Sequence, residues 1–268
     1  MFGAILGDVI GSAYEFAPVH DVYFNAFRKE STFTDDSVLT LATADVLLNG
    51  GNYADAYWSY ARAYPGRGYG GRFAGWISSN EKKPYNSFGN GSAMRIAPVG
   101  WAFDTLEATL AEAEKSAACT HNHPEGVKGA QAVAAAIFMA RNGADKSDIQ
   151  RYIETTFNYD LSRSVDEVRK TSYFDETCQV SVPEAIVAFL GADDYEQTVR
   201  NCVSFGADAD TQAAIAGAIA EAYWDAIGDE WILFAWQKLD ARSQDIVLKF
   251  YERFAPASNV GSFIRRNA

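Results

Sequence analysis

Two short acidic clusters lie almost a whole chain apart, Thr34-Asp35-Asp36 and Asp208-Ala209-Asp210-Thr211. Each stands before an apolar stretch, Val38 to Leu48 in the first case and Thr211 to Trp224 in the second. Taken singly, each is a helix start. Asp and Thr oxygens cap free N–H groups there, and the helix macrodipole favours acids. Taken as a pair, they predict a fold that closes the two ends of the chain on one shared site. Four carboxylates and two hydroxyls in one space need neutralising. Hard cations such as Mg²⁺, Ca²⁺ and Mn²⁺ take this oxygen set.

The rest of the chain predicts helices to carry those clusters. Asp104 reads as an N-cap, with Glu107 three residues on and a run through Ala118. An apolar stripe at helical spacing runs from Gly126 to Arg141 and stops at Asn142-Gly143. Ser147 precedes Ile149 to Phe157, and Ser181 with Pro183 precedes a run to Leu190. Thr198 to Phe205 and Ser243 to Phe254 add two more. Period-2 alternation is nearly absent, and Val22-Tyr23-Phe24 is the one short strand expected. The pattern predicts about ten helices in an all-α domain. No repeat, low-complexity tract or Pro/Ser-rich linker divides the 268 residues, so residues 1–268 are expected to form a single domain. Gly3, Gly7 and Gly11 recur every four residues on one helix face. One reading is a tightly packed central helix; a sharper one is that Gly11-Ser12 ends the helix at a site and aims Glu15 into it.

Composition narrows the function classes. With 35 acidic against 23 basic residues the net charge is −12, and no Lys/Arg cluster precedes Arg265-Arg266. A nucleic-acid backbone needs a basic footprint, so nucleic acid is not an expected partner. No segment reaches the roughly 18 apolar residues of a membrane helix. The start of the chain lacks a basic region before its apolar run, so a cytoplasmic location is expected. Cys119, Cys178 and Cys202 are widely spaced, fit neither a disulfide framework nor a zinc pattern, and read as buried small hydrophobes.

Two further segments carry chemistry. Ser87-Phe88-Gly89-Asn90-Gly91-Ser92-Ala93-Met94-Arg95 is a Gly-rich loop entering a helix. Such a loop offers backbone N–H groups to an anion, although the G-K-[ST] ending of a P-loop is missing. Thr120-His121-Asn122-His123-Pro124-Glu125-Gly126 holds two of the three histidines. No third His or Cys lies nearby to complete a zinc site, so the pair reads as substrate-binding or capping. His20 receives no role.

Together with Gly7-Asp8-Val9-Ile10-Gly11-Ser12-Ala13-Tyr14-Glu15, these motifs resemble, in content and order, the ADP-ribosylglycohydrolase family. The resemblance spans residues 3 to 224. It implies an orthogonal all-α fold and a binuclear site for two Mg²⁺ or Mn²⁺, held by Thr34, Asp35, Asp36, Asp208, Asp210 and Thr211. It implies Glu15 as the glutamate near the metals, with Asp35 and Asp210 also catalytic. Ser87, Phe88, Gly89, Asn90, Gly91 and His121 match positions on the diphosphate and adenosine side of the cleft. Ser37 stands where Thr is common after the Asp pair, and Gln212 where Asn is common after Asp-Thr. The implied chemistry is hydrolysis of a glycosidic bond at C1″ of ADP-ribose, through an oxocarbenium-like state. The implied partner is an ADP-ribosylated protein or an ADP-ribose derivative. Two alternatives stand beside it: a hydrolase of a free ADP-ribose derivative or other nucleotide-like substrate, and a non-catalytic ADP-ribose-binding or immunity protein.

Overall fold

The computed structural model describes residues 1–79 and 81–267. Its helices are α1 (Phe2–Gly11), α2 (Asp35–Asn49), α3 (Tyr53–Ala63), α4 (Gly71–Ser78), α5 (Gly91–Met94), α6 (Ala97–Ala102), α7 (Leu106–Ala118) and α8 (Pro124–Arg141). The second half adds α9 (Lys146–Phe157), α10 (Val165–Thr171), α11 (Cys178–Leu190), α12 (Tyr195–Ser204), α13 (Ala209–Trp224), α14 (Asp229–Trp236), α15 (Ala241–Phe254) and α16 (Asn259–Asn267). The all-α expectation holds. The count is sixteen among the described residues because α4, α5, α6, α10, α14 and α16 are only 4 to 9 residues long. Segments that short show little periodicity.

The centre is an antiparallel pair, α1 on α13. Every residue of α1 is buried, as are Ala209 to Ala222 of α13. The glycine stripe explains the closeness. A Cβ on Gly3 would lie 2.4 Å from the Gly217 carbonyl oxygen, one on Gly7 2.1 Å from that of Ala213, and one on Gly11 2.4 Å from that of Ala209. Only glycine permits this backbone-on-backbone approach. The far end of the pair is fastened by Glu221, whose Oε2 accepts from the Met1 ammonium and from Gly3 N, each at 2.7 Å. At the near end, the C-terminus of α1 meets the N-terminus of α13. α2 joins them there, α5, α8, α11 and α12 pack around α13, and the buried side chains form one core.

Several boundaries differ from the sequence reading. Thr105, not Asp104, caps α7, its side chain accepting from Ala108 N at 3.2 Å. Asp145 rather than Ser147 caps α9, and Asp194 starts α12 before Thr198. α11 begins at Cys178, so Pro183 sits inside the helix. Val22–Phe24 forms no strand: the carbonyls of Val22 and Phe24 accept from Arg200 Nη1 at 2.9 and 3.0 Å instead of pairing with a neighbour. Cys178 and Cys202 are buried as expected, whereas Cys119 is only partly so. No helix among the described residues is long and apolar enough to cross a membrane.

Candidate active site

Three helix ends meet at one place, and Asp35, Asp36, Asp208 and Asp210 line a cleft of about 620 Å³ there. α1 contributes Asp8, which is fully buried. Its Oδ2 accepts from Thr34 N at 2.9 Å and Ser37 N at 3.1 Å, and its Oδ1 from Thr34 Oγ1 at 2.7 Å. Ser37 Oγ also donates to Oδ2. Asp8 therefore clamps the first turn of α2 onto α1. Thr34 is also the N-cap of α2, accepting from Asp36 N at 3.4 Å. Capping and site-building are thus the same contacts here.

The two acidic clusters do come together. Thr211 Oγ1 donates to Asp36 Oδ2 at 3.4 Å across 175 positions of sequence. Carboxylate oxygens of Asp8, Asp36 and Asp210 lie within 4.8 Å of one another, and so do those of Glu15, Asp208 and Asp210. Asp210 is common to both groups. Asp35 belongs to neither: it lines the cleft beside Gly68, where an added Cβ would lie 3.3 Å from Asp35 Oδ1. Thr34 stays behind the cleft wall, bonded to Asp8.

The electrostatics are those of crowded, dry carboxylates. Burial pushes Asp8 up to about 6, restrained by the hydrogen bonds from Ser37 and Thr34. Burial, and then the Asp210 charge, pushes Glu15 up to about 8. Burial likewise takes Asp208 to about 7, against hydrogen bonds from Asp210 and Asn90. Asp35, Asp36 and Asp210 are raised well above the carboxylate range by burial and by their neighbours' charges. No Lys or Arg pairs with any of these acids among the described residues. Asp36 is buried, with Oδ1 lacking a hydrogen-bond partner among the described residues. Such an unpartnered oxygen is costly unless something else binds it. All-oxygen donors, excess negative charge and an orphaned carboxylate oxygen fit a hard divalent cation.

The Gly-rich loop forms another wall. It is strapped to the segment before α11 by an isolated antiparallel bridge, Gly89 to Thr177. Asn90 N donates to Glu176 O at 2.7 Å and Cys178 N to Phe88 O at 3.0 Å. Ser87, Phe88, Gly89, Asn90 and Gly91 all line the cleft, as does His121. The Asn90 side chain faces the acids, donating to Asp208 Oδ2 at 2.6 Å and to Ser181 Oγ at 2.9 Å. His121 lies against the loop, with Nε2 3.1 Å from where a Gly91 Cβ would stand. Burial, then the charges of Arg95 and Arg72, holds its pKa well below the usual histidine range. His123 is the N-cap of α8, accepting at Nδ1 from Glu125 N at 3.1 Å.

Nothing local in the sequence marks Arg95 or the strip Phe174-Asp175-Glu176, and only its place inside an apolar, Gly-spaced helix marks Asp8; all lie at or beside the cleft. The two departures noted in the sequence keep structural work. Ser37 serves the clamp on Asp8, and Gln212 Nε2 donates to the buried Glu184 Oε2 at 2.9 Å.

Known proteins are similar to this chain. A solved structure described as an ADP-ribosylglycohydrolase-related protein complex superposes with a TM-score of 0.72 at 24% identity, covering 94% of this chain and 95% of that one. The ADP-ribosylarginine hydrolase Tri1 of Pseudomonas putida (strain GB-1) is 26% identical over 87% of this chain and 72% of its own length. The ADP-ribosylhydrolase ARH3 of Mus musculus is 27% identical over 88% of this chain and 85% of its own. The profile of the ADP-ribosylglycohydrolase family matches residues 1–257, which takes in both acidic clusters, the Gly-rich loop and His121. With α1, α2 and α13 delivering one acidic site inside that span, the chain belongs to the ADP-ribosylglycohydrolase family of hydrolases.

Proposed function

We propose that this protein hydrolyses the glycosidic bond at C1″ of ADP-ribose, releasing it from a modified side chain, with two Mg²⁺ or Mn²⁺ bound. The observation that carries the reading is the double group of carboxylates sharing Asp210, free of basic partners and with Asp36 Oδ1 unsatisfied among the described residues. Asp36, Asp208, Asp210 and Thr211 would hold the cations, with Asp35, Glu15 and the Thr34–Asp8 pair around them. When bound, the cations supply Lewis-acid polarisation and a template for the ribose hydroxyls.

The chain's own residues do the rest. Glu15, half-buried on the cleft wall, takes a proton from the attacking water or gives one to the leaving group. Asn90 holds Asp208 in place from the side. The Gly-rich loop and His121 receive the diphosphate. The strip Phe174-Asp175-Glu176, with the partly exposed Phe88, offers carboxylates and aromatic faces at the same cleft. Both attract a guanidinium, which favours arginine as the acceptor, in line with the name of the Pseudomonas relative.

The test is release of ADP-ribose from a panel of arginine- and serine-linked substrates, with Mg²⁺, with Mn²⁺ and with a chelator. Release from the arginine-linked substrate, abolished by chelation and restored by either metal, is the expected result. Glu15→Ala should keep ADP-ribose binding and lose turnover by about 100-fold or more. Folded, metal-loaded protein that binds ADP-ribose but cleaves nothing would replace hydrolysis with the binding-protein reading.

A further inference from the structure

Arg95 is among the largest fully buried side chains, yet no carboxylate contacts it among the described residues. Its guanidinium lies 4.0 Å over the Tyr57 ring. Nη2 donates to Ser116 O at 3.1 Å and Thr120 Oγ1 at 2.8 Å, whereas Nε and Nη1 have no partner among the described residues. A buried charge left this way is unfavourable unless an anion arrives nearby.

Thr120 connects that charge to the cleft. Its side chain is fully buried, and its oxygen already accepts from Arg95. The hydroxyl carries one proton; of its two neighbouring acceptors, the weak sulfur of Cys119 and His121 Nδ1 at 2.7 Å, the ring nitrogen is the stronger. A ring nitrogen that accepts is unprotonated, so the proton of a neutral imidazole must sit on Nε2. Nε2 has no hydrogen-bond partner among the described residues and lies beside Gly91 on the cleft wall.

We infer that Arg95, acting through Thr120, fixes His121 as an Nε2–H donor and sets a buried positive charge beside it, so that the three residues together recognise the anionic diphosphate of the ligand. Arg95 and Thr120 are positioning residues in this scheme, and only His121 touches the ligand. The ligand half of the inference rests on the ADP-ribose reading of the cleft; the relay itself does not.

The relay is tested on ligand-free wild-type protein by long-range ¹H–¹⁵N correlation of labelled histidine. His121 should show a protonated Nε2 and a bare Nδ1 from about pH 6 to 8. A proton on Nδ1 would overturn the relay while leaving the proposed hydrolysis intact. Thr120→Val should disturb the tautomer and weaken ADP-ribose binding by about tenfold, with the kinetic loss mainly in KM, and Thr120→Ser should restore both. Arg95→Met, chosen because an apolar side chain of similar length suits the buried site, should weaken ADP-ribose by about tenfold or more and adenosine far less. Equal loss for the two ligands, or variants that bind ADP-ribose like wild type, would overturn the diphosphate assignment. So would wild-type protein that binds no ADP-ribose, a result that also removes the proposed function.

Discussion

Asp8 shows how much one side chain does here. It accepts from two backbone N–H groups and two hydroxyls of the α2 start while its carboxylate reaches Asp36 and Asp210. Asparagine has one carbonyl oxygen for those donors and turns an NH₂ group toward them. Asp8→Asn should therefore cost about 2–3 kcal/mol of stability, read from urea unfolding. It should also blunt the thermal stabilisation by Mg²⁺; an unchanged response to Mg²⁺ would confine Asp8 to a purely structural clamp. Asp35, Asp36, Asp208 and Asp210 were legible in the sequence because acids at helix starts are locally marked. Asp8, Arg95 and Glu176 were not, since an isolated charge in a helix or loop is usually solvated. Only closure of α1 on α13, and of the Gly-rich loop on the strip before α11, gives them a place.

Among the helices, α1 illustrates what spacing can and cannot convey. Glycine every fourth residue foretold close packing, but not that the partner was α13 or that the two run antiparallel. The long helices α8 and α13 were legible from their apolar periodicity and end signals. The start of α11 was not, because Pro183 reads as a first-turn residue although the helix begins five residues earlier. The packing yields a paired prediction. Gly7→Ala drives a methyl into the Ala213 carbonyl and should cost about 3 kcal/mol or more, lowering Tm by roughly 5–10 °C. Gly75→Ala lies in the helix α4 with nothing within 4 Å of the new methyl. It should gain about 0.5–1 kcal/mol from helix propensity. Differential scanning calorimetry of both variants decides; a Gly7→Ala protein as stable as wild type would refute the close-approach account.

The molecule as a whole gathers like charges where it has fewest means to screen them. Folding raises Asp8 to about 6 and Asp208 to about 7, from about 3.9 in an unfolded chain. A raised carboxyl pKa means the folded state keeps protons that the unfolded chain gives up. The contribution of these groups is thus fully present below about pH 4 and is lost as pH rises through about 6 to 7. A cation that binds only the folded state stabilises it and competes with those protons. The gain in Tm on adding saturating Mg²⁺ should therefore be clearly larger at about pH 8 than at about pH 5.5. Equal gains at the two pH values would show that the cation does not sit among these carboxylates.

The α1–α13 pairing also has a consequence in time. Gly3 and Glu221, which meet through a hydrogen bond, are 218 positions apart. At about 5–20 residues per second, a ribosome takes roughly 10–40 s to deliver the partner after the first helix emerges. Through that interval α1 has no α13 to cover it, and the acids of α2 have none of the acids of α13 to face. The last third of the chain to be synthesised thus both buries the first helix and completes the acidic cleft, so a nascent chain released early carries half of a charge cluster and an uncovered apolar helix.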